Sequence, residues 1–120
     1  MLDIYTFSYI LMLVEYRKEK TTEENARQIA ELLKLLANEN RLMILCTLME
    51  QPLSVNKIAE KVPNITQSAL SQHLAMFKAH GILDYVKTGQ TITYSIADHR
   101  VEVLIHTLKK YYCDIGEVTE

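Results

Sequence analysis

The sequence predicts a mostly α-helical domain that carries one small β-hairpin. Apolar residues recur at helical spacing along most of the chain, and they change to a two-residue alternation after Gly81. The 120 residues are 48% hydrophobic and 23% charged, so the chain can form one globular domain without disulfide bonds. Three glycines and two prolines exclude collagen-like and low-complexity classes, and two cysteines do not make a secreted disulfide framework. We therefore expect a cytoplasmic protein.

Residues 1–20 are predicted to form an apolar helical extension ahead of a domain that spans residues 21–116. The apolar run ends at Glu15, so it is too short to span a membrane, and it lacks the features of a secretory signal. Its helical spacing favours a buried amphipathic helix, which would also serve as a dimer seam. The residues with that spacing are Ile4, Phe7, Ile10, Leu11 and Val14. Membrane association and a true start at Met12 are the alternatives.

Two helices are predicted next along the chain. The first begins near residues 21–24, where two threonines precede two glutamates and so supply an N-cap and early acids. Its apolar stripe is Ala26, Ile29, Ala30, Leu33 and Leu36. A break follows at residues 38–40. The second helix ends at Gln51-Pro52, and its apolar residues are Leu42, Ile44, Leu45, Leu48 and Met49.

Two shorter helices are predicted on either side of Pro63-Asn64. Ser54 caps the first, over residues 55–62, with Val55, Ile58 and Val62 facing inward. Thr66 caps the second, which starts at Gln67 and has Gly81 as its C-cap. Its buried stripe is Leu70, Leu74 and Phe77.

Residues 82–87 and 91–96 alternate as strands do, and turn residues 88–90 join them into a hairpin. Asp98 then caps a last helix, whose apolar side is Val101, Leu104, Ile105, Leu108 and Tyr112. Two short helices joined by a tight turn and followed by a hairpin form a winged helix-turn-helix. This is the predicted fold.

The second short helix exposes hydrogen-bonding side chains near its N-terminus, where free N–H groups attract phosphate and amides can pair with adenine edges. Any solvated helix also exposes such residues, so the pattern alone leaves both interpretations open. The DNA-binding candidates on and before this helix are Thr66, Gln67, Ser68, Ser71, Gln72, His73 and Lys78, with His73 at the boundary of the buried face. At the tip of the wing they are Lys87, Gln90 and Thr91, for which the alternative is an ordinary polar turn.

The charge distribution agrees with these candidates. Residues 54–97 contain four lysines against one glutamate and one aspartate, a net charge of +2, whereas the rest of the chain carries nine bases and thirteen acids, a net charge of −4. Positive charge is therefore concentrated in the segment that would contact DNA.

Three runs closely resemble the ArsR family of bacterial winged-helix repressors: LLKLLANENRLMIL, LSVNKIAEKVPNITQSALSQHLAMFKAHGIL and TGQTITYSIAD. The resemblance covers residues 26–113, and QSALSQHL and ITYSI are its most specific parts. It implies a homodimer, joined through its first and last helices, that represses from a palindromic operator until an inducer releases it. Family members commonly have a single glycine between the two DNA-binding helices. Because of the extra residue at Pro63-Asn64, the resemblance does not determine the tilt of the DNA-binding helix that starts at Gln67.

The metal sites of that family do not transfer to this sequence. The thiolate site needs paired cysteines, and Cys46 stands alone in MILCTLME. The site on the last helix needs an Asp-x-His, but Asp98-His99 lacks the spacer, and the position three after His106 is Lys109. We predict no metal and no cofactor, with a non-standard metal site as the alternative.

Cys46 and Cys113 resemble the cysteine pair of the family's dithiol branch, which senses reactive sulfur species or oxidants. Lys109 and Lys110 lie within a turn of Cys113 and favour its thiolate, while Asp114 opposes them. We therefore expect Cys113 to react first and Cys46 then to close a disulfide or polysulfide bridge. The residues alone favour two packing cysteines, and a regulator without a thiol switch is one alternative. A winged-helix protein-interaction module is another. Catalysis is not expected, because Ser68, Ser71 and His73 share one helix without a nucleophile elbow or an acid partner.

Overall fold

The computed structural model describes residues 3–114, with their side chains except those of residues 14–21 and 113–114. The described residues divide between Leu36 and Ala37 into two compact units. The first contains α1 (Ile4–Leu36). The second, which we call the winged unit, contains in order α2 (Glu39–Leu48), β1 (Leu53–Ser54), α3 (Val55–Lys61), α4 (Gln67–Ala79), β2 (Leu83–Thr88), β3 (Thr91–Ile96), α5 (His99–Lys109) and a π-helical turn (Lys110–Asp114).

The first unit is one continuous helix, so the predicted helix start near residues 21–24 is wrong. Threonine and glutamate act as a start signal only where the preceding chain is not helical, and here the helix already runs through them. It begins instead at Asp3, whose Oδ1 accepts a hydrogen bond from the Thr6 N–H at 2.7 Å. The predicted burial of the extension is also wrong for the single chain, because Ile4, Phe7, Ile10 and Leu11 are all exposed. The side chain of Val14 lies outside the described residues.

The helices of the winged unit begin at side-chain caps, as predicted for Ser54, Thr66 and Asp98. Ser54 accepts a hydrogen bond from the Lys57 N–H at 3.3 Å, Thr66 from that of Ala69 at 3.0 Å, and Asp98 from that of Arg100 at 2.9 Å. The break predicted at residues 38–40 is confirmed only at Asn38, which caps α2, because Glu39 and Asn40 already belong to that helix.

The core of the winged unit lies between its four helices and the sheet. The stripe predicted for α4 is fully buried, which fixes the opposite face of that helix toward solvent. Its members are Leu70, Leu74 and Phe77. Burial of such a side chain contributes about 1.5–3 kcal/mol. Of the apolar side predicted for the last helix, Val101 and Ile105 on α5 are buried and Leu104 is half-buried. Leu108 and, in the π-helical turn, Tyr112 are exposed in the single chain.

Gly81 joins α4 to the sheet. Its φ of +74° is left-handed, its N–H donates to the Lys78 carbonyl at 3.1 Å, and the Ile82 N–H donates to the Phe77 carbonyl at 2.9 Å. This pair of bonds is a Schellman motif, in which His80 is the C-cap and the left-handed Gly81 follows it, so the C-cap lies one residue before the predicted Gly81. The Ile82 carbonyl then accepts from the Ala97 N–H at 2.9 Å, which links the end of α4 to the entry of α5.

The predicted hairpin is confirmed as β2 and β3, which pair antiparallel from Leu83 opposite Ile96 to Thr88 opposite Thr91. Gly89 opens the two-residue turn at φ +64°, and Gln90 has no positive φ, as in a type II′ turn. The sequence analysis missed β1, a two-residue strand that pairs with β3 and makes the order β1-β3-β2. No helix within residues 3–114 is long and apolar enough to cross a membrane.

Candidate nucleic-acid interface

The N-terminal end of α4 is polar and exposed. Its first turn contains no acidic residue, so no carboxylate opposes an anion there. The first N–H groups of a helix have no partner within the helix. Here the Thr66 hydroxyl oxygen accepts a hydrogen bond from one of them, the Ala69 N–H. The exposed residues of this end are Thr66, Gln67, Ser68, Ser71 and Gln72. The structure thus brings these five predicted residues together at the positive end of one helix.

Ala75 is exposed on the same face, because Ser68, Gln72 and Ala75 are spaced four and three residues apart. The sequence analysis did not select Ala75, since an alanine on a helix carries no polar signal. Its methyl group is a suitable apolar contact for the methyl of a thymine, so we add it to the candidate residues.

His73 is less exposed than Ser71 and Gln72, which precede it on α4. It is half-buried, and its Nδ1 accepts a hydrogen bond from the Nε of Arg41 on α2 at 3.2 Å. Partial burial, and then the positive charge of Arg41, hold the pKa of His73 below its ordinary value. His73 therefore connects α4 to α2 through one ring nitrogen.

Lys78 lies at the other end of α4 and contacts the wing. Its Nζ is 3.3 Å from Oδ1 of Asp84 and 5.5 Å from the centre of the Tyr85 ring. The Tyr85 N–H, and then Lys78, hold the pKa of Asp84 below its usual value. Tyr85 in turn contacts Tyr94, with 5.5 Å between the ring centres. Lys78 is thus a link between helix and wing as well as an exposed cation.

The wing residues Lys87, Gln90 and Thr91 are all exposed. Gln90 and Thr91 line a surface cleft of about 240 Å³ together with Ser54, Val55 and Asn56 at the start of α3. The wing turn and the beginning of α3 therefore form one polar surface. Asn56 was missed by the sequence analysis, because nothing local to it indicates that the wing returns to this point.

Two of the four lysines of this region form ion pairs. Lys57 is 3.6 Å from Glu60 and Lys78 is 3.3 Å from Asp84, and all four side chains remain exposed. Exposed pairs of this kind contribute little and exchange readily with other anions. Lys61 and Lys87 are also exposed, so the region can present its positive charge to a polyanion.

Cys46 occupies a separate apolar cleft of the winged unit. It is half-buried on α2, and the cleft measures about 260 Å³. The other lining residues are Leu42, Ile105, Leu108, Lys109 and Tyr112. Cys113 follows Tyr112 in the π-helical turn, and its side chain lies outside the described residues.

No group of three or more His, Cys, Asp or Glu side chains that could hold a metal ion occurs among the described residues. His80, which the sequence places before the glycine, caps the C-terminus of α4 and is exposed.

Comparisons with known proteins identify the fold and its family. Residues 38–85, which include α2, α3 and α4, match the family described as bacterial regulatory protein, arsR family. The chain is 38% identical to the transcriptional activator HlyU of Vibrio cholerae, over 79% of this chain and 87% of that protein. The solved structure of reduced HlyU from Vibrio cholerae matches with a TM-score of 0.73 at 38% identity, covering 78% of this chain and 98% of that one.

Two further solved structures are similar. The transcriptional repressor BigR from Xylella fastidiosa matches with a TM-score of 0.72 at 30% identity, covering 79% of this chain and 96% of that one. The homodimeric winged helix-turn-helix DNA-binding domain of Mb0332 from Mycobacterium bovis matches with a TM-score of 0.66 at 26% identity, covering 81% of this chain and 89% of that one. The chain therefore belongs to the ArsR family of winged helix-turn-helix proteins, which are DNA-binding transcription regulators rather than enzymes.

Proposed function

We propose that this protein is a repressor that binds a palindromic DNA operator as a homodimer. The observation that carries the proposal is the exposed, acid-free N-terminal end of α4, which presents short hydrogen-bonding side chains beside free backbone N–H groups. The wing residues Lys87, Gln90 and Thr91 contact the DNA backbone or the adjacent minor groove. BigR, which has the same fold at 30% identity, is described as a repressor.

The exposed apolar residues of α5 and of the π-helical turn after it support a dimer. Val103 and Leu108 on α5, and Tyr111 and Tyr112 in the turn, are all exposed in the single chain, with Tyr112 82% accessible. Leaving several large apolar side chains of one segment in water is unfavourable, and a second copy of the chain would cover them. The similar domain of Mb0332 is described as homodimeric.

The DNA contact is tested by replacing one residue of α4. Gln72→Ala is expected to lower operator affinity about tenfold, since a bidentate amide–base contact contributes about 1–3 kcal/mol. The measurement is fluorescence anisotropy on DNA from upstream of the protein's own gene, at several salt concentrations. Affinity should fall steeply as salt rises, because lysine–phosphate contacts release counterions.

Gln51→Ala is the matched control, because Gln51 is also exposed but lies in the loop after α2. Equal losses in both variants would contradict a specific role for Gln72. A wild-type protein that binds no operator DNA at any salt concentration would favour a winged-helix module that docks on another protein.

We further propose that Cys46 and Cys113 release the repressor when they are modified. The cleft that Cys46 lines also contains Tyr112, the residue next to Cys113, which supports a reaction between the two thiols. The Cys113 thiolate attacks the outer sulfur of an alkyl persulfide, so that Cys113 gains that sulfur and the alkyl thiolate leaves. The Cys46 thiolate then attacks the inner sulfur of the Cys113 persulfide, a disulfide forms and hydrosulfide leaves.

An organic peroxide gives the same disulfide by another route. It oxidises the Cys113 thiolate to a sulfenic acid and is itself reduced to an alcohol, and Cys46 then displaces water. The bridge would join α2 to the π-helical turn after α5. This link would shift the helices of the dimer interface and so change the spacing of the two copies of α4. Because a palindromic operator requires a fixed spacing, the affinity falls.

Persulfide treatment tests this switch. The wild-type protein should lose operator binding on treatment and regain it with a reductant, whereas Cys113→Ser should bind equally before and after treatment. Cys46→Ser should be modified without forming a bridge, which mass spectrometry of the intact protein detects. A normal response of Cys113→Ser would overturn the dithiol mechanism and leave a regulator without a thiol switch. The DNA-binding proposal would still stand.

A further inference from the structure

Arg41 and His73 form a side-chain contact between two helices of the winged unit. Arg41 lies in the first turns of α2, whose cap Asn38 accepts a hydrogen bond from the Arg41 backbone N–H at 3.1 Å. Its side-chain Nε donates to Nδ1 of His73 at 3.2 Å, across 32 residues of sequence. The contact is partly buried, so water competes less with it than at an open surface.

The chemistry of this bond determines which nitrogen of His73 carries the proton. An arginine side chain has donors and no acceptor, and it stays protonated at any relevant pH. Nδ1 must therefore offer its lone pair, so the ring is neutral and its proton is on Nε2. Partial burial and the charge of Arg41 act in the same direction, since both hold the pKa of His73 below its ordinary value. Arg41 is the charged group of the described residues that acts on this ring.

The position of His73 on α4 makes this proton relevant to binding. His73 follows Gln72, which is exposed, and precedes Leu74, which is buried, so it lies at the edge of the exposed face. Because His73 is only half-buried, we assign its Nε2–H the role of a donor for an acceptor that approaches along α4.

We propose that Arg41 is a positioning residue of the DNA interface, whose hydrogen bond holds His73 in the neutral Nε2–H tautomer, so that α4 presents a donor rather than a cation there. The partner on DNA is an acceptor at the groove edge, such as a phosphate oxygen or a purine N7. This inference rests on the proposed function, in which α4 enters the major groove. It adds Arg41, which the sequence analysis did not select, to the residues that determine affinity.

Nuclear magnetic resonance tests the tautomer without DNA. Long-range ¹H–¹⁵N spectra of the wild-type protein should show His73 protonated on Nε2, with a titration midpoint below the ordinary histidine value of about 6.5. Arg41→Ala should raise that midpoint and populate both tautomers. Arg100→Ala is the matched control, because Arg100 pairs with Asp98 on α5, and it should leave the His73 signals unchanged. A wild-type His73 protonated on Nδ1, or a midpoint that Arg41→Ala does not move, would overturn the proposal.

Operator binding of two His73 variants tests the donor. In His73→Gln the side-chain amide can replace the Nε2 donor, whereas in His73→Asn the shorter side chain can replace the Nδ1 acceptor. We expect His73→Asn to lose about fivefold or more in affinity, as for a lost hydrogen bond, and His73→Gln to lose clearly less. The reverse order would overturn the DNA-facing part of the proposal. If the wild-type protein binds no operator DNA, both the proposed function and the DNA-facing role of His73 are overturned. The nuclear magnetic resonance experiment still decides the tautomer, because it uses no DNA.

Discussion

Each helix of the winged unit begins at one short polar side chain. Asn38, Ser54, Thr66 and Asp98 each accept a hydrogen bond from a backbone N–H two or three residues later. Such a cap typically contributes about 1 kcal/mol, because it satisfies a donor that the helix leaves unpaired. These four side chains therefore determine where the helices begin, and the cap at Thr66 also determines the position of the candidate DNA-binding end.

The contribution of the Asp98 cap to stability is expected to depend on pH. Hydrogen bonds from Arg100 hold the pKa of Asp98 below its usual value of 3.8. A carboxyl whose pKa is lower in the folded state stabilises the protein above its unfolded pKa, and that contribution is lost as the pH falls through the folded pKa. Asp98→Asn keeps a capping oxygen but does not titrate. We expect the variant to be less stable than wild type near neutral pH, with the difference vanishing under acid conditions below that pKa.

Urea unfolding at several pH values measures this difference. The free energies of unfolding of the two proteins should converge from neutral pH toward acid. A constant difference over the whole range would contradict the contribution of the ionised carboxylate. The variant also serves as its own control for capping, because asparagine and aspartate are about equally good N-caps.

The roles of the capping residues could be predicted from the sequence, whereas the longer-range contacts could not. Ser54, Thr66 and Asp98 were predicted because a cap bonds to residues that are close along the chain. The bond from Arg41 to His73 was not predicted, because it joins residues 32 apart and depends on how α2 packs against α4. The ion pair of Lys78 with Asp84 was not predicted either, because it depends on the direction in which β2 leaves the turn at Gly81.

Among the elements, the junction of α4 and β2 depends on one backbone conformation. Gly81 has a φ of +74°, and a Cβ added there would meet no atom within 4 Å. Gly81→Ala should therefore destabilise the protein through the left-handed backbone alone, by about 1–2 kcal/mol. Gly81→Asn should cost less, because asparagine tolerates this conformation better. Denaturant unfolding measures both variants, and an alanine variant as stable as wild type would contradict the conformation.

A helix or strand could be predicted where its pattern of apolar residues extended over enough of the chain. The buried stripe of α4 spans two turns, and each strand of the hairpin has six residues, so both patterns were clear. In contrast, β1 has two residues, which is too short to show an alternation, and it exists because β3 offers it a partner. The start predicted near residues 21–24 failed because threonine and glutamate are also compatible with a helix interior.

For the whole molecule, the division between Leu36 and Ala37 indicates that the winged unit has its own core. Its fully buried side chains run from Ile44 to Ile105. We therefore predict that a variant lacking residues 1–20, the proposed extension, keeps a cooperative unfolding transition and operator binding. Circular dichroism during urea titration and anisotropy measure the two properties.

Phe77→Ala is the comparison, because it removes a fully buried side chain and should cost about 3–5 kcal/mol. A shortened chain that lost as much stability as this variant, or that had no cooperative transition, would contradict the prediction. The proposed boundary at residue 20 would then be wrong.

The junction of α4 with the wing has a consequence for operator length. The Ile82 N–H donates to the Phe77 carbonyl at 2.9 Å, and the side chains of Phe77, Ile82 and Leu83 are all buried, so helix and wing form one stiff body. Each base pair inserted between two half-sites turns the second by about 34° around the DNA axis. A stiff body cannot bend to follow that rotation. In the proposed homodimer, tolerance to such insertions would therefore come from the joint between the two copies.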